Sequence, residues 1–197
     1  MLIMDDVSMM TPRRLHSILS LPRLQSLTLK DIKRFDTDDG ETLTGQTCSV
    51  DALSVDGKHV TSLWNFGLHT SCPRVETLQL DWLTEENVSS DIVTMACSPF
   101  HRLTHLQIQA QMPPKVTLND PVSFCDAVKT SCPRLTKLSF AFIALNNKKA
   151  AEIIQLMKTH PHLTSIGLKT CATDMDLDPL IYEVNSEGKL TVTVTKF

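Results

Sequence analysis

The stretch Cys72-Pro73-Arg74-Val75-Glu76-Thr77-Leu78-Gln79-Leu80 decides how this chain is read, because its pattern returns along nearly the whole length. It appears earlier as Leu21-Pro22-Arg23-Leu24-Gln25-Ser26-Leu27-Thr28-Leu29. It appears later as Cys132-Pro133-Arg134-Leu135-Thr136-Lys137-Leu138-Ser139-Phe140 and as His160-Pro161-His162-Leu163-Thr164-Ser165-Ile166-Gly167-Leu168. Weaker copies keep the apolar anchors alone: Val50, Leu53 and Val55, then Leu103, Leu106 and Ile108, and finally Val192 and Val194 counted from Lys189. First anchors at 24, 50, 75, 103, 135, 163 and 189 are separated by 26, 25, 28, 32, 28 and 26 residues. Such a period predicts one supersecondary unit repeated, with each alternating run a short strand whose side chains point to opposite faces in turn.

Between the strands the sequence carries helix signals. Thr11-Pro12, Asp120-Pro121 and Asp178-Pro179 each place a capping side chain just before a proline, and proline's missing N–H is harmless at the first helical position. Leu15, Ile18 and Leu19 follow the first of these at helical spacing, and Ala150, Ile153, Ile154 and Met157 form a second stripe after Asn147. The next strand is then expected to begin with the proline of the next copy, which stops the helix before it.

The L-x-x-L-x-L anchors at this period resemble the leucine-rich-repeat family, of the helix-containing, ribonuclease-inhibitor-like or cysteine-containing type, over essentially all 197 residues. The resemblance implies an α/β solenoid, a horseshoe with a parallel concave sheet and convex helices, built from about seven to eight irregular repeats of 25–32 residues. It implies a single domain over 1–197 that ends in a closing strand at about 189–196. One departure is plain: the ninth position of the strand motif, typically Asn or Cys in the family, holds Ile32, Lys58, Leu83, Gln111, Ile143 and Cys171. At the other end, Leu2, Met4 and Val7 fall 25 residues before Leu27, Leu29 and Ile32. The chain therefore reads as opening in mid-repeat, a fragment continuous with upstream domains.

Composition narrows the function. Nineteen Lys and Arg against 22 Asp and Glu leave a net charge of −3, with no basic block for a phosphate backbone or an anionic membrane. Nucleic acid and membrane are poor partners on this count. No apolar run approaches the roughly 18–20 residues that a spanning helix needs, and Asp5 and Asp6 interrupt the N-terminal apolar stretch. The six cysteines form no C-x-x-C pair and no zinc-finger spacing, so no metal is expected. Cys72 and Cys132 occupy the same place in two copies, as buried thiols would, and the compartment reads as reducing and cytoplasmic.

Alternation puts the anchors in the core and the residues between them on the concave side. Across three strands that side reads Thr77, Gln79 and Asp81, then His105, Gln107 and Gln109, then Lys137 and Ser139, and its last outward row reads Lys30, Asp56, Asp81, Gln109, Ala141 and Lys169. It is polar and nearly neutral, either a hydrogen-bonding groove for a protein partner or simply a solvated sheet face. The longest unit also carries an insertion, Gln111-Met112-Pro113-Pro114-Lys115, a candidate binding loop. The acidic run Asp36-Thr37-Asp38-Asp39-Gly40-Glu41 does not fit a calcium loop, because counting from Asp36 puts Gly40 fifth and Thr47 twelfth.

No nucleophile elbow, phosphate-binding loop, H-E-x-x-H or dinucleotide fingerprint is present, and six glycines leave little material for a phosphate cradle. Neither an enzyme nor a cofactor is expected. The resemblance implies a protein-interaction scaffold. Its first version is the ligand-sensing repeats of a cytosolic NLR-like innate immune receptor. The alternatives are the substrate-binding repeats of an F-box ubiquitin-ligase adaptor and a free-standing inhibitor of ribonuclease-inhibitor type.

Overall fold

The computed structural model describes residues 1–36, 47–82, 87–111, 116–169 and 190–195. In chain order the elements are β1 (Leu2–Met4), α1 (Pro12–Leu19), β2 (Ser26–Leu29), β3 (Ala52–Asp56), a 3₁₀ turn (Gly57–His59), α2 (Val60–Asn65), α3 (Leu68–Ser71) and β4 (Thr77–Trp82). There follow α4 (Ser90–Cys97), β5 (His105–Ala110), α5 (Pro121–Ser131), β6 (Lys137–Ala141), α6 (Asn147–Met157), β7 (Ser165–Lys169) and β8 (Thr191–Thr195). The helix starts follow from local chemistry. Thr11 accepts from the Arg14 N–H at 3.1 Å and Asp120 from the Ser123 N–H at 3.0 Å, with Pro12 and Pro121 opening α1 and α5. Asn146 caps α6 by accepting from the Lys149 N–H at 2.9 Å.

All eight described strands are parallel and pair in sequence order, β1-β2-β3-β4-β5-β6-β7-β8. Anchor stands beside anchor throughout: Leu2, Leu27, Leu53, Leu78, Leu106, Leu138, Ile166 and Val192 form one row. A row of threonines helps hold it. The hydroxyls of Thr104, Thr136 and Thr164 each donate to a carbonyl of the preceding unit, at 3.2, 3.0 and 3.1 Å.

Parallel strands joined by right-handed crossovers are shared with doubly wound α/β sheets. There, however, the strand order reverses and helices cover both faces. Here the sheet grows in one direction only, so described crossovers of one hand land on one side. The anchors and the buried helix residues, among them Leu15, Val93, Phe124 and Ile153, accordingly form one core. Among the described residues no helix covers the other face, which is unusual for a parallel sheet.

The leucine-rich-repeat horseshoe implied by the resemblance is corrected by this architecture: the sheet is flat and does not curl. The physical reason lies where the strands end. Asp6, Asp31 and Phe142 turn the backbone into the left-handed region two residues after the third anchor, with φ of 52°, 44° and 60°. At the same place β4 and β5 run on through Trp82 and Ala110. In β3 that place is Gly57, where a Cβ would come within 3.0 Å of the Trp82 ring. The helical segments also differ, from the short α2–α3 pair to the 11 residues of α5 and α6. No feature repeats identically enough to impose one curvature. With the horseshoe go the roles that depended on it. The ligand-sensing repeats of an NLR-like receptor, the F-box adaptor and the ribonuclease-type inhibitor all need a curved arc to wrap a partner, and a flat sheet offers none.

A smaller correction concerns the prolines. Each lies in a turn about four residues before its strand rather than at the strand's first residue, since Pro73 precedes Thr77 and Pro133 precedes Lys137.

Candidate functional site: a charged cleft at the strand ends

The eight residues assigned to the outward face do share it. Thr77, His105 and Lys137 stand side by side, as do Gln79, Gln107 and Ser139, and Asp81 pairs with Gln109. They are not equivalent. Thr77, His105 and Lys137 are exposed at the strand starts, and Gln79, Gln107, Gln109 and Ser139 are half-buried. Asp81 is 1% exposed. His105 engages only its neighbour among the described contacts, with Nδ1 2.9 Å from the Thr104 hydroxyl. Gln107 donates to Gln109 at 2.7 Å.

Asp81 is the centre of a network drawn from three strands. Its carboxylate accepts from the Ser54 hydroxyl at 2.8 Å and from Gln79 Nε2 at 3.0 and 3.1 Å, and the Lys30 ammonium lies 3.1 Å away. A carboxylate so buried persists only because donors and an opposite charge meet it.

The adjacent register position on β3 holds Asp56, also 1% exposed. Asp56 Oδ1 caps the 3₁₀ turn by accepting from the Lys58 N–H at 3.3 Å. Its Oδ2 accepts no hydrogen bond. Lys58 Nζ stands at 3.5 Å, close enough for a charge interaction, and His59 Nε2 lies at 3.9 Å. Burial pushes the Asp56 carboxyl above its ordinary range against the pull of Lys58, and the charge of Asp81 adds to the rise. Burial likewise lowers His59 to about 4, helped by the nearby Lys58 charge. The imidazole packs on Phe35, with ring centroids 5.0 Å apart, and is neutral at physiological pH.

Above these carboxylates opens a cleft of about 650 Å³ at the carboxyl ends of β1 to β5. Asp5, Asp6 and Asp31 line it with Asp81, and Lys30, Lys33 and Lys58 answer them. Lys33 pairs with Asp31 and, at 3.3 Å, with Asp6. The hydrogen bond from Lys33 lowers the Asp31 carboxyl and, reciprocally, raises the Lys33 ammonium. Among the described residues four carboxylates and three lysines line the cleft, and Asp56 stands beside Asp81 in the strand register.

Sequence reasoning placed Lys30, Asp56 and Asp81 on one outward row but did not find that this row dips into the protein. The available signal was charge at consecutive strand ends, Lys30-Asp31, Asp56 with Lys58, and Asp81. Of the candidate binding loop, Gln111 is exposed on the cleft rim. Met112, Pro113, Pro114 and Lys115 lie outside the described residues. So do 37–41 of the acidic run, Leu83, Cys171 and the Asp178-Pro179 helix start.

The five described cysteines are buried free thiols. Cys48 and Cys72 have their sulfurs 3.2 Å apart, and the hydrogen bond to Cys48 together with burial holds the Cys72 thiol above the usual range. Burial pushes Cys125 up to about 12. His160, which replaces the cysteine of the repeated phrase, is 5% exposed with Nε2 3.0 Å from the Cys132 carbonyl oxygen, a packing role. Among the described residues no group of three or more His, Cys, Asp or Glu could hold a metal, and no helix is long and apolar enough to cross a membrane.

The class defined by fold and site is thus an open, all-parallel α/β sheet with one face uncovered by the described residues and a carboxylate-floored cleft at the strand ends. No protein-family model matches the chain, and no curated protein matches it.

Proposed function

We propose that the chain is a non-catalytic binding protein whose cleft receives a basic segment of a protein partner, an arginine or lysine side chain docking over Asp56 and Asp81. The observation that carries this reading is Asp56 Oδ2: a carboxylate oxygen buried without a hydrogen bond, beside a second buried carboxylate, under a cleft with more acids than bases. Among the described residues only Lys58 Nζ at 3.5 Å answers this oxygen, and a buried acceptor without a hydrogen bond costs roughly 1–3 kcal/mol. A guanidinium or ammonium entering the cleft recovers part of that and complements its charge. The parallel-sheet position supports the same reading, since ligands of open α/β sheets bind beyond the carboxyl ends of the strands. Five buried free thiols support a reducing, cytoplasmic setting.

The test is fluorescence anisotropy with a labelled hexa-arginine peptide, on the full chain and on Asp31→Asn and Asp81→Asn, with circular dichroism to verify folding. The expected result is saturable binding that weakens with salt and falls about tenfold in each variant. Absence of binding, or equal affinity in all three proteins, would reject the proposal.

A further inference from the structure

Two of the buried thiols meet between neighbouring segments of the chain. Cys48 lies just before β3, Cys72 caps the end of α3 24 residues later, and their sulfurs stand 3.2 Å apart. The backbone sets this approach. The Cys48 N–H donates to the Ser71 carbonyl at 2.8 Å, so the two segments are tied together beside the sulfurs. A disulfide holds its sulfurs at about 2.05 Å, which leaves the pair to close by about 1 Å.

The two sulfurs are not equivalent. Cys72 is fully buried, whereas Cys48 keeps 8% of its surface exposed and is the one a small solute reaches first. Cys48 accepts hydrogen bonds from the Cys72 thiol and from the Val50 N–H, and these lower it to about 6 against the cost of burial. Its thiolate is populated at neutral pH. Elsewhere the environment works the other way: the hydrogen bond with Cys132 and burial push Cys97 up, and burial alone does so for Cys125. An accessible thiolate touching a second thiol is the arrangement in which an oxidised sulfur is resolved on the spot.

We propose that Cys48 and Cys72 are an oxidation site for hydrogen peroxide, Cys48 reacting first and Cys72 resolving it to a reversible disulfide. The Cys48 thiolate attacks one peroxide oxygen, forming an S–O bond as the O–O bond breaks, and the departing hydroxide takes up a proton to become water. Cys72 then attacks the sulfenic sulfur. The S–S bond forms as the S–O bond breaks, and the hydroxyl leaves as a second water with the Cys72 proton. Two electrons pass from the sulfurs to the peroxide. The new bond encloses β3, the 3₁₀ turn, α2 and α3 in a covalent loop, which restricts the unfolded chain and stabilises that unit. A thiol reductant reverses it. The pair shares no residue with the acidic cleft, so either reading can fail without the other.

The experiment treats the reduced full chain with equimolar hydrogen peroxide, quenches it in acid, alkylates it in urea and maps its tryptic peptides by mass spectrometry. Each of the six cysteines falls in a different tryptic peptide, Cys48 in 35–58 and Cys72 in 59–74, so every pairing is distinguishable. A disulfide joining those two peptides should form about tenfold faster than any other, disappear with dithiothreitol and raise the urea midpoint of the chain. In Cys72→Ala, with folding verified by circular dichroism, Cys48 should stop at the sulfenic acid and be captured by dimedone. Cys48→Ala should leave Cys72 unmodified. Disulfides spread without preference over the six cysteines, a Cys48 that stays reduced while other thiols oxidise, or equal oxidation of Cys72 in Cys48→Ala would overturn the proposal. The map of the unaltered chain decides it even where a variant does not fold.

Discussion

At the β3–β4 end of the uncovered face, the last outward residues are Asp56 and Asp81, each 1% exposed and enclosed by Lys30, Ser54, Gln79 and Lys58. At the β6–β7 end the same register position holds Ala141 and Lys169, beside a hollow of about 290 Å³ over Gly167. The backbone ladder is the same at both ends, and so is the apolar row on the other side, Leu78 and Leu80 in one place and Leu138 and Phe140 in the other. One face is thus fixed by packing, while the other can differ strand by strand without disturbing the core. That division makes the uncovered face the place to look for function.

The comparison breaks most readily through the anchors. Leu78→Ala or Leu106→Ala, at positions no more than 1% exposed, should cost roughly 2–5 kcal/mol in urea denaturation. A loss below about 1 kcal/mol would mean that the two faces are not so different.

The acidic end should show its own pH signature through His59. Because its folded pKa is depressed to about 4, the unfolded chain binds the proton more readily, and stability present above about 6.5 is lost as pH falls towards 4. The groups facing the imidazole are Lys58, Asp31 and Asp56. Replacing His59 by Gln should remove a slope on the order of 2–3 kcal/mol between those pH values. An unchanged slope would show that the ring is solvated. Asp56, with its raised carboxyl, acts in the opposite sense, its contribution declining as pH rises above about 4.

Removing one partner of the central ion pair sharpens the contrast further. Lys30→Met leaves Asp81 with Ser54 and Gln79 alone and should destabilise the fold by about 1–3 kcal/mol. The double variant with Asp81→Asn should recover part of that loss. Additive losses would indicate that the two side chains do not act as a pair. At the β6–β7 end, Gly167→Ala should shift stability by less than about 1 kcal/mol, since it adds one methyl at a partly exposed strand position. A large loss there would show that this outward position is packed as tightly as the core.

The repeated phrase determined a good deal unaided. It located the anchor register from Leu2 through Val194, the helix starts at Pro12 and Pro121, and the shared face of Thr77, His105 and Lys137, because side-chain alternation and capping are local properties. It did not determine how the units add up. The horseshoe was an inference from resemblance, and the flat sheet overturns it. The way each strand ends, at Asp31, Gly57, Trp82 or Phe142, depends on contacts between units that no single unit reports.

The site divides in the same way. Lys30, Asp56 and Asp81 were legible as an outward row of charge, but a strand pattern treats outward and exposed as the same thing. Only the tertiary structure brought residues from β2, β3 and β4 together at the strand ends, burying two carboxylates there and emptying the space over Gly167. Burial and cavity shape arise from the summed geometry of neighbouring strands, and no stretch of sequence carries that by itself.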